Sequence, residues 1–235
     1  MSIFSADYSL APKATFPQQQ SESVAAYRYL LDTEGIPADR IIMAGESAGG
    51  HLVLSCLMSP SEKDLARPKG AMLLYPWVDL TNHSSTFESN RNNDVISKRL
   101  LDRCAEAVMG QKGRTDAMNL ENLLKQWQPA SEQNWEDILP QITWVTVGSH
   151  DILLHDVQTF VKNAQDAGAR VTLDVFPEKP HSFNFAMDRE SVDRYCELNP
   201  EDEVLPGMMA GSQAISEGLF AVFLRWERSR WEMSV

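Results

Sequence analysis

The sequence predicts an α/β fold with a mostly parallel sheet, because short apolar runs typical of buried strands alternate with amphipathic helical segments. Length and composition agree with this class. A chain of 235 residues with 43% hydrophobic and 23% charged residues is long enough to bury a core and too apolar to be disordered. We therefore expect one domain over residues 1–235 that carries an insertion.

Four apolar runs predict the strands of this sheet, at residues 40–44, 70–75, 142–147 and 170–176. Between and around them, apolar residues recur every three or four positions, which predicts helices at residues 21–34, 48–58, 156–167 and 213–228. The carboxyl ends of parallel strands meet at one edge of a sheet, and α/β proteins build their sites there. Residues that follow the predicted strands are therefore the first candidates for chemistry.

Residues 82–138 interrupt the alternation of strands and helices. This segment is polar and rich in Asn and Ser at first, and it then has helical patterns at 97–109 and 117–127. A connection of this length inside a compact domain is usually functional. We therefore expect a lid or cap insertion that covers a site.

Charge and cysteine content exclude several classes of partner. With 21 basic and 33 acidic residues the net charge is -12, which argues against nucleic acid and anionic membranes as partners. No run of 18 apolar residues predicts a membrane span. Cys56, Cys104 and Cys196 form no CxxC or Cys/His pattern, so we expect free thiols and no metal site. With no signal peptide at the start of the chain, these features predict a cytoplasmic protein.

Residues 45–49 form a G-x-S-x-G motif, Gly-Glu-Ser-Ala-Gly, directly between a predicted strand and a predicted helix. This strand–turn–helix setting is what a nucleophile elbow requires, because the tight turn raises the serine above the sheet edge. Ser47 is therefore the candidate nucleophile. The backbone N–H of Ala48 lies at a helix N-terminus, where it can stabilise a developing oxyanion.

A serine hydroxyl is a weak nucleophile and needs a base that is oriented by an acid. In an elbow-bearing fold the chain order is Ser, acid, His. Asp151 follows the third predicted strand and His181 follows the fourth, so they are the candidate acid and base. Asp156 is the rival acid, although its position at the start of a helix favours a capping role. The other histidines precede the last strand and are weaker candidates for the base.

Several motifs, in the same order from residue 7 to about residue 185, resemble the hormone-sensitive-lipase-like esterases of the α/β-hydrolase fold. These motifs include DYSLAP (7–12), GESAGG (45–50), YPWVDL (75–80), GSHDILLHD (148–156) and PHSF (180–183). The resemblance implies that Ser47 is the nucleophile, Asp151 the acid and His181 the base, with Ala48 in the oxyanion hole. It also implies hydrolysis of short-chain carboxylic esters of small molecules, without a metal or a cofactor.

Two departures from this family bear on the candidate site. No HGG motif, which in the family supplies the rest of the oxyanion hole, occurs in the sequence, and Ser182 stands where the family commonly has Gly. We therefore expect an N-terminally truncated member that lacks the HGG segment and the first three strands, and whose residues 2–6 correspond to the fourth. A truncated chain, a chain completed by a partner and a reduced relative remain open explanations.

Three functions are compatible with these residues. The leading one is a serine esterase that removes short acyl or acetyl groups from a lipophilic small molecule, as in the tailoring of a secondary metabolite. Its substrate pocket is predicted to include Trp77, Phe183 and Phe185, although these aromatic residues could equally be core. The alternatives are a small-molecule-binding relative with little or no catalysis, and an amidase, cyclase or acyl transferase that uses the same triad.

Overall fold

A computed structural model describes residues 2–58, 65–115, 135–199 and 201–220, and in helix 98–115 the side chains up to residue 110. In it four strands form one sheet in the order β1-β2-β3-β4, and every neighbouring pair is parallel. The strands are β1 (Ile42–Glu46), β2 (Gly70–Leu74), β3 (Ile142–Gly148) and β4 (Val171–Phe176). The predicted parallel sheet is therefore confirmed, with each predicted strand displaced by at most two residues at either end.

The helices that surround the sheet also follow the sequence pattern. They are α1 (Gln18–Arg28), which runs into a π-helical turn (Tyr29–Thr33), α2 (Ala48–Leu57), α3 (Thr86–Ser89), α4 (Lys98–Thr115, with a break at Gly110), α5 (Trp135–Ile138), α6 (Leu154–Asp166), α7 (Phe183–Asp188), α8 (Val192–Cys196) and α9 (210–220). Four of them, α1, α2, α6 and α9, begin within three residues of the predicted starts. The predicted helix 117–127 and the end of 213–228 lie outside the described residues.

One predicted strand is wrong. Residues 2–6 have no regular secondary structure, although we expected them to form a strand beside β1. A strand needs a neighbouring ladder, and within the described residues β1 is hydrogen-bonded to β2 alone. The segment instead rests on the π-helical turn, where the rings of Phe4 and Tyr29 stack with centroids 6.0 Å apart.

The main core lies around β3, whose seven residues are all buried, as expected for a parallel strand covered on both faces. Helix α2 packs on β1 and β2, and α6 packs on β3 and β4. The indole of Trp144 is fully buried and donates a hydrogen bond to Asp174 Oδ2 at 2.7 Å. A second, smaller cluster joins α1 to α2 through Val24, Tyr27 and Cys56.

The beginning of the 82–138 insertion is anchored in this core. Asn82 is fully buried, accepts a hydrogen bond from Trp77 Nε1 at 2.8 Å and donates one to Asp102 Oδ1 of α4 at 3.1 Å. The insertion therefore starts as a packed part of the domain. Its role as a lid stays a prediction. No helix in the described ranges is both long and apolar enough to cross a bilayer.

Candidate active site

The residues after β1 form a sharp elbow. Ser47 connects β1 to α2 with φ 53° and ψ -115°, a left-handed conformation that non-glycine residues rarely adopt. Hydrogen bonds hold it there, because Ser47 N–H donates to Leu74 O at 2.9 Å and Ser47 O accepts from the N–H of Trp77 at 3.1 Å. The strained serine is thus fixed between the ends of β1 and β2, as backbone strain at functional sites usually is.

The two glycines of the motif have different steric roles. A Cβ at Gly45 would lie 2.2 Å from Gly49 O, whereas a Cβ at Gly49 meets nothing within 4 Å among the described residues. We expect Gly45→Ala to open the elbow and lower stability by about 1–3 kcal/mol or more, as overpacking does. Gly49→Ala, inside α2, should leave stability unchanged or raise it by up to about 1 kcal/mol. Thermal unfolding of both variants measures this; equal melting temperatures would contradict it.

The structure brings the three predicted residues into one hydrogen-bonded chain. His181 Nε2 lies 2.9 Å from Ser47 Oγ, and His181 Nδ1 lies 2.9 Å from Asp151 Oδ2. Asp151 accepts only, so Nδ1 carries the proton and Nε2 is free to accept the Ser47 hydroxyl proton. The three side chains come from loops after β1, β3 and β4, which all end at the same edge of the sheet.

Burial governs the electrostatics of this chain. Asp151 has no exposed surface and His181 only 4%. Burial raises the pKa of Asp151, and the hydrogen bonds from His181 and from the N–H of Leu153 oppose that rise. The pair is thus withdrawn from water. In this buried setting, an ion pair or a hydrogen bond between Asp151 and His181 is screened only weakly.

Tyr75 is a member of this site that sequence reasoning missed, because it reads as the last apolar residue of a strand. Its fully buried ring packs edge-to-face on His181 with centroids 4.9 Å apart. Its hydroxyl donates to Asn184 Oδ1 at 2.6 Å. With φ 36°, Tyr75 is a bulky residue in the left-handed region, so its position is held by the surrounding contacts against backbone strain.

Ser182 ties the histidine loop to the elbow. It has φ 55° and ψ 35°, the left-handed conformation that favours glycine, at the position where the resembling family commonly has that residue. Its hydroxyl donates to Glu46 Oε1 at 3.2 Å, which links the residue after His181 to the residue before Ser47. The departure from the family pattern therefore adds a contact within the site.

Ala48 is the first residue of α2, so its N–H belongs to the helix turn that has no intrahelical acceptors. This position beside Ser47 fits the predicted contribution to an oxyanion hole. Three or more His, Cys, Asp or Glu side chains placed to hold a metal ion do not occur among the residues that the structure describes.

The aromatic residues proposed from the sequence as pocket lining are placed differently. Phe183 has no exposed surface and packs between Tyr75 and Phe176, and Trp77 is 5% exposed with its indole bonded to Asn82. Both are packed in the core, and this burial does not favour contact with a substrate. Their assignment as pocket lining stays a prediction. Phe185 is 61% exposed and stays a candidate contact.

The rival candidates lie apart from the hydrogen-bonded chain. His51 sits in α2 with Nδ1 3.0 Å from Trp77 O, and burial lowers its pKa to about 4, so it is neutral at pH 7. Asp156 lies in the first turn of α6, whose N-cap is Leu153, so the predicted capping role is wrong. Asp156 is 8% exposed, and its Oδ2 has no hydrogen-bond partner in the described part of the chain.

Asp156 makes stability depend on pH. Burial raises the pKa of Asp156 to about 7, the nearby charge of Asp79 adds to the rise, and a hydrogen bond from Ser84 opposes it. The folded chain therefore binds this proton more tightly than the unfolded chain, whose aspartate pKa is about 4, and stability falls as pH rises from about 4 to 7.

Asp156→Asn removes this titration. We expect its melting temperature, relative to the parent, to be higher at pH 8 than at pH 5. Asp166→Asn, on an exposed residue at the other end of α6 that pairs with Lys162, should show no such change between the two pH values. An Asp156→Asn effect that is the same at both pH values would contradict the raised pKa.

Comparison with known proteins supports the fold. Residues 1–185 match a family described as having the alpha/beta hydrolase fold. Over 186 residues the chain is 27% identical to an acetyl-hydrolase of Streptomyces hygroscopicus, a match that covers 78% of this chain and 58% of that relative.

Solved structures agree with the sequence relatives. A hormone-sensitive lipase from a metagenome library is 34% identical, with a TM-score of 0.64, over 77% of this chain and 58% of that one. An esterase from the bacterial hormone-sensitive lipase family is 28% identical, with a TM-score of 0.68, over 91% of this chain and 63% of that one. The chain spans less than two thirds of the length of each protein. It belongs to the alpha/beta hydrolase fold family, and the predicted resemblance to its hormone-sensitive-lipase-like members is confirmed.

Proposed function

We propose that this chain is a serine hydrolase that cleaves carboxylic esters. The observation that carries the proposal is the continuous hydrogen-bonded chain from Ser47 Oγ through His181 to Asp151, with both distances at 2.9 Å. Geometry of this kind allows a hydroxyl to lose its proton as it attacks a carbonyl. Support also comes from the relatives, which are named acetyl-hydrolase, esterase and hormone-sensitive lipase.

In the first half of the proposed reaction, Ser47 Oγ attacks the ester carbonyl carbon while His181 Nε2 takes the hydroxyl proton. The carbonyl oxygen becomes an oxyanion, to which the N–H of Ala48 donates. The intermediate collapses, the C–O bond to the alcohol breaks, and His181 returns the proton to the departing alcohol oxygen. The acyl group is then an ester of Ser47.

In the second half, a water molecule attacks the acyl carbon and gives its proton to His181. The bond to Ser47 Oγ breaks, the serine regains its proton from His181, and the carboxylic acid leaves. Asp151 stays ionised throughout and stabilises the imidazolium that forms in each half.

The proposed substrates are short-chain acyl or acetyl esters of a lipophilic small molecule, as in a tailoring step of secondary metabolism. The support is the acetyl-hydrolase relative and the exposed Phe185 near His181 in the chain. A cytoplasmic location is part of the proposal, and its support is that no disulfide joins Cys56, Cys104 and Cys196.

Hydrolysis of p-nitrophenyl acetate and butyrate by the purified chain tests the proposal, with circular dichroism to establish folding. We expect release of p-nitrophenolate, and an acyl group on the Ser47 peptide after acid quenching and mass spectrometry. A folded chain that binds these esters without releasing p-nitrophenolate would instead be a binding protein. Faster cleavage of the matching p-nitroanilides would indicate an amidase.

A further inference from the structure

One carboxylate outside the hydrogen-bonded chain contacts two of its loops. Asp94 lies between α3 and α4, at the start of the insertion. Its Oδ1 accepts the backbone N–H of His181 at 2.9 Å, and its Oδ2 accepts the backbone N–H of Ile152 at 2.6 Å. Ile152 follows Asp151 directly, so a single side chain joins the loop of the candidate base to that of the candidate acid.

The same short segment holds the acid loop from a second side. Asn90 Nδ2 donates to Asp151 O at 2.9 Å and to Ser149 O at 3.0 Å. The backbone from Ser149 to Ile152 is therefore held by hydrogen bonds to two side chains: the Asp94 carboxylate accepts from it, and the Asn90 amide donates to it. These partners are separated by about 60 to 90 residues in sequence, so the contacts are tertiary.

A carboxylate suits this task better than other side chains. Three backbone N–H donors converge on Asp94, because the N–H of Val95 also donates to Oδ1 at 2.7 Å. An ionised carboxylate offers two acceptor oxygens and no competing donor. Hydrogen bonds of N–H groups to a charged acceptor are shorter and about twice as strong as neutral ones. The negative charge also lies close enough to Asp151 to contribute to the rise of its pKa.

We propose that Asp94 is a positioning residue for catalysis, which fixes the spacing between the His181 and Asp151 loops so that both hydrogen bonds of the chain form together. This inference rests on the proposed function. A purely structural anchor would affect melting temperature alone, whereas a positioning residue affects turnover in enzyme that is still folded. Small displacements of catalytic groups cost about a hundredfold in rate.

Two substitutions separate loss of an acceptor from loss of the whole contact. Asp94→Ala removes both acceptors. Asp94→Asn keeps one acceptor oxygen but sets an NH₂ donor against a backbone N–H. Glu88→Gln is the matched control, because Glu88 lies in the same region, is exposed and pairs with Arg91.

We expect Asp94→Ala to lower kcat about 10–100-fold with KM little changed, and Asp94→Asn to fall between it and the parent. Glu88→Gln should keep the parent kcat. Rates are normalised to folded active sites by titration with a fluorophosphonate. A kcat for Asp94→Ala within twofold of the Glu88→Gln value would overturn the proposal.

A second readout does not depend on turnover. The proton between His181 Nδ1 and Asp151 gives a low-field NMR resonance in a well-formed pair, and we expect Asp94→Ala to broaden or lose it while Glu88→Gln retains it. If the parent shows this resonance but hydrolyses no ester, the proposed function fails while the positioning of the pair is still measured. If the parent is active and both Asp94→Ala and Asp94→Asn keep the parent rate and the resonance, the inference about Asp94 fails while the proposed function stands.

Discussion

Ser47→Ala is expected to reduce kcat for p-nitrophenyl butyrate by about 10⁴–10⁶-fold, to the level left by binding and the oxyanion donor alone. The variant lacks the oxygen that lies 2.9 Å from His181 Nε2, so no acyl-enzyme can form. Its fold should persist, because the backbone hydrogen bonds that hold the elbow do not involve the hydroxyl. Initial rates and mass spectrometry of the quenched reaction measure the two effects.

The control for this change is Ser21→Ala, on an exposed residue of α1 whose hydroxyl donates to the carbonyl oxygen of Pro17, the N-cap of the same helix. It should keep the parent rate. Residual hydrolysis by Ser47→Ala at more than about a hundredth of the parent rate would mean that another residue is the nucleophile.

Asp151→Asn is expected to lower kcat by about 10⁴-fold, the loss seen when the triad carboxylate of serine proteases is replaced by its amide. An amide NH₂ that faces His181 Nδ1 makes this nitrogen an acceptor, so the proton moves to Nε2. The ring then presents a donor to Ser47 and cannot take its proton. The amide oxygen can still accept the N–H of Leu153, so the loop should keep its shape.

Asp156→Asn is the matched comparison, because Asp156 is a buried carboxylate five positions after Asp151. The stability effect described above is the only change that we expect from it. We expect it to retain turnover within a few-fold of the parent at pH 7. Loss of turnover in Asp156→Asn together with a normal rate in Asp151→Asn would reverse the assignment of the acid. Circular dichroism on both variants guards against loss through unfolding.

Strand β3 was predictable because a parallel strand buried on both faces is a continuous apolar run, and β3 is buried at every position. The other strands were predictable because each is a short apolar run, although β1 and β4 are only partly buried. The three residues of the hydrogen-bonded chain were predictable as neighbours because each follows a strand, and the strands end at one edge. Neither argument needs a contact to be known. Both rest on local pattern and topology.

The rest of the site could not be read from the sequence. Asp94 belongs to the site through its hydrogen bond with His181, 87 positions away, and Tyr75 through its hydrogen bond with Asn184, 109 positions away. No periodicity in the sequence predicts contacts of this length. The sequence could not show that Phe183 and Trp77 are buried, because an aromatic residue near a site has the same residue type whether it lines a pocket or fills the core. The expected strand at 2–6 failed because a strand is a property of its neighbours.

The hydrogen bond between Ser47 and His181 joins residues that are 134 positions apart. Closing a loop of this length requires that β1 to β4 have already taken their places, since His181 follows the last strand of the sheet. During synthesis the candidate nucleophile Ser47 emerges long before the candidate base His181, so every shorter intermediate contains the serine without the histidine. The proposed activity should therefore appear in one late step of folding, when β4 docks on β3, and not gradually as the sheet grows.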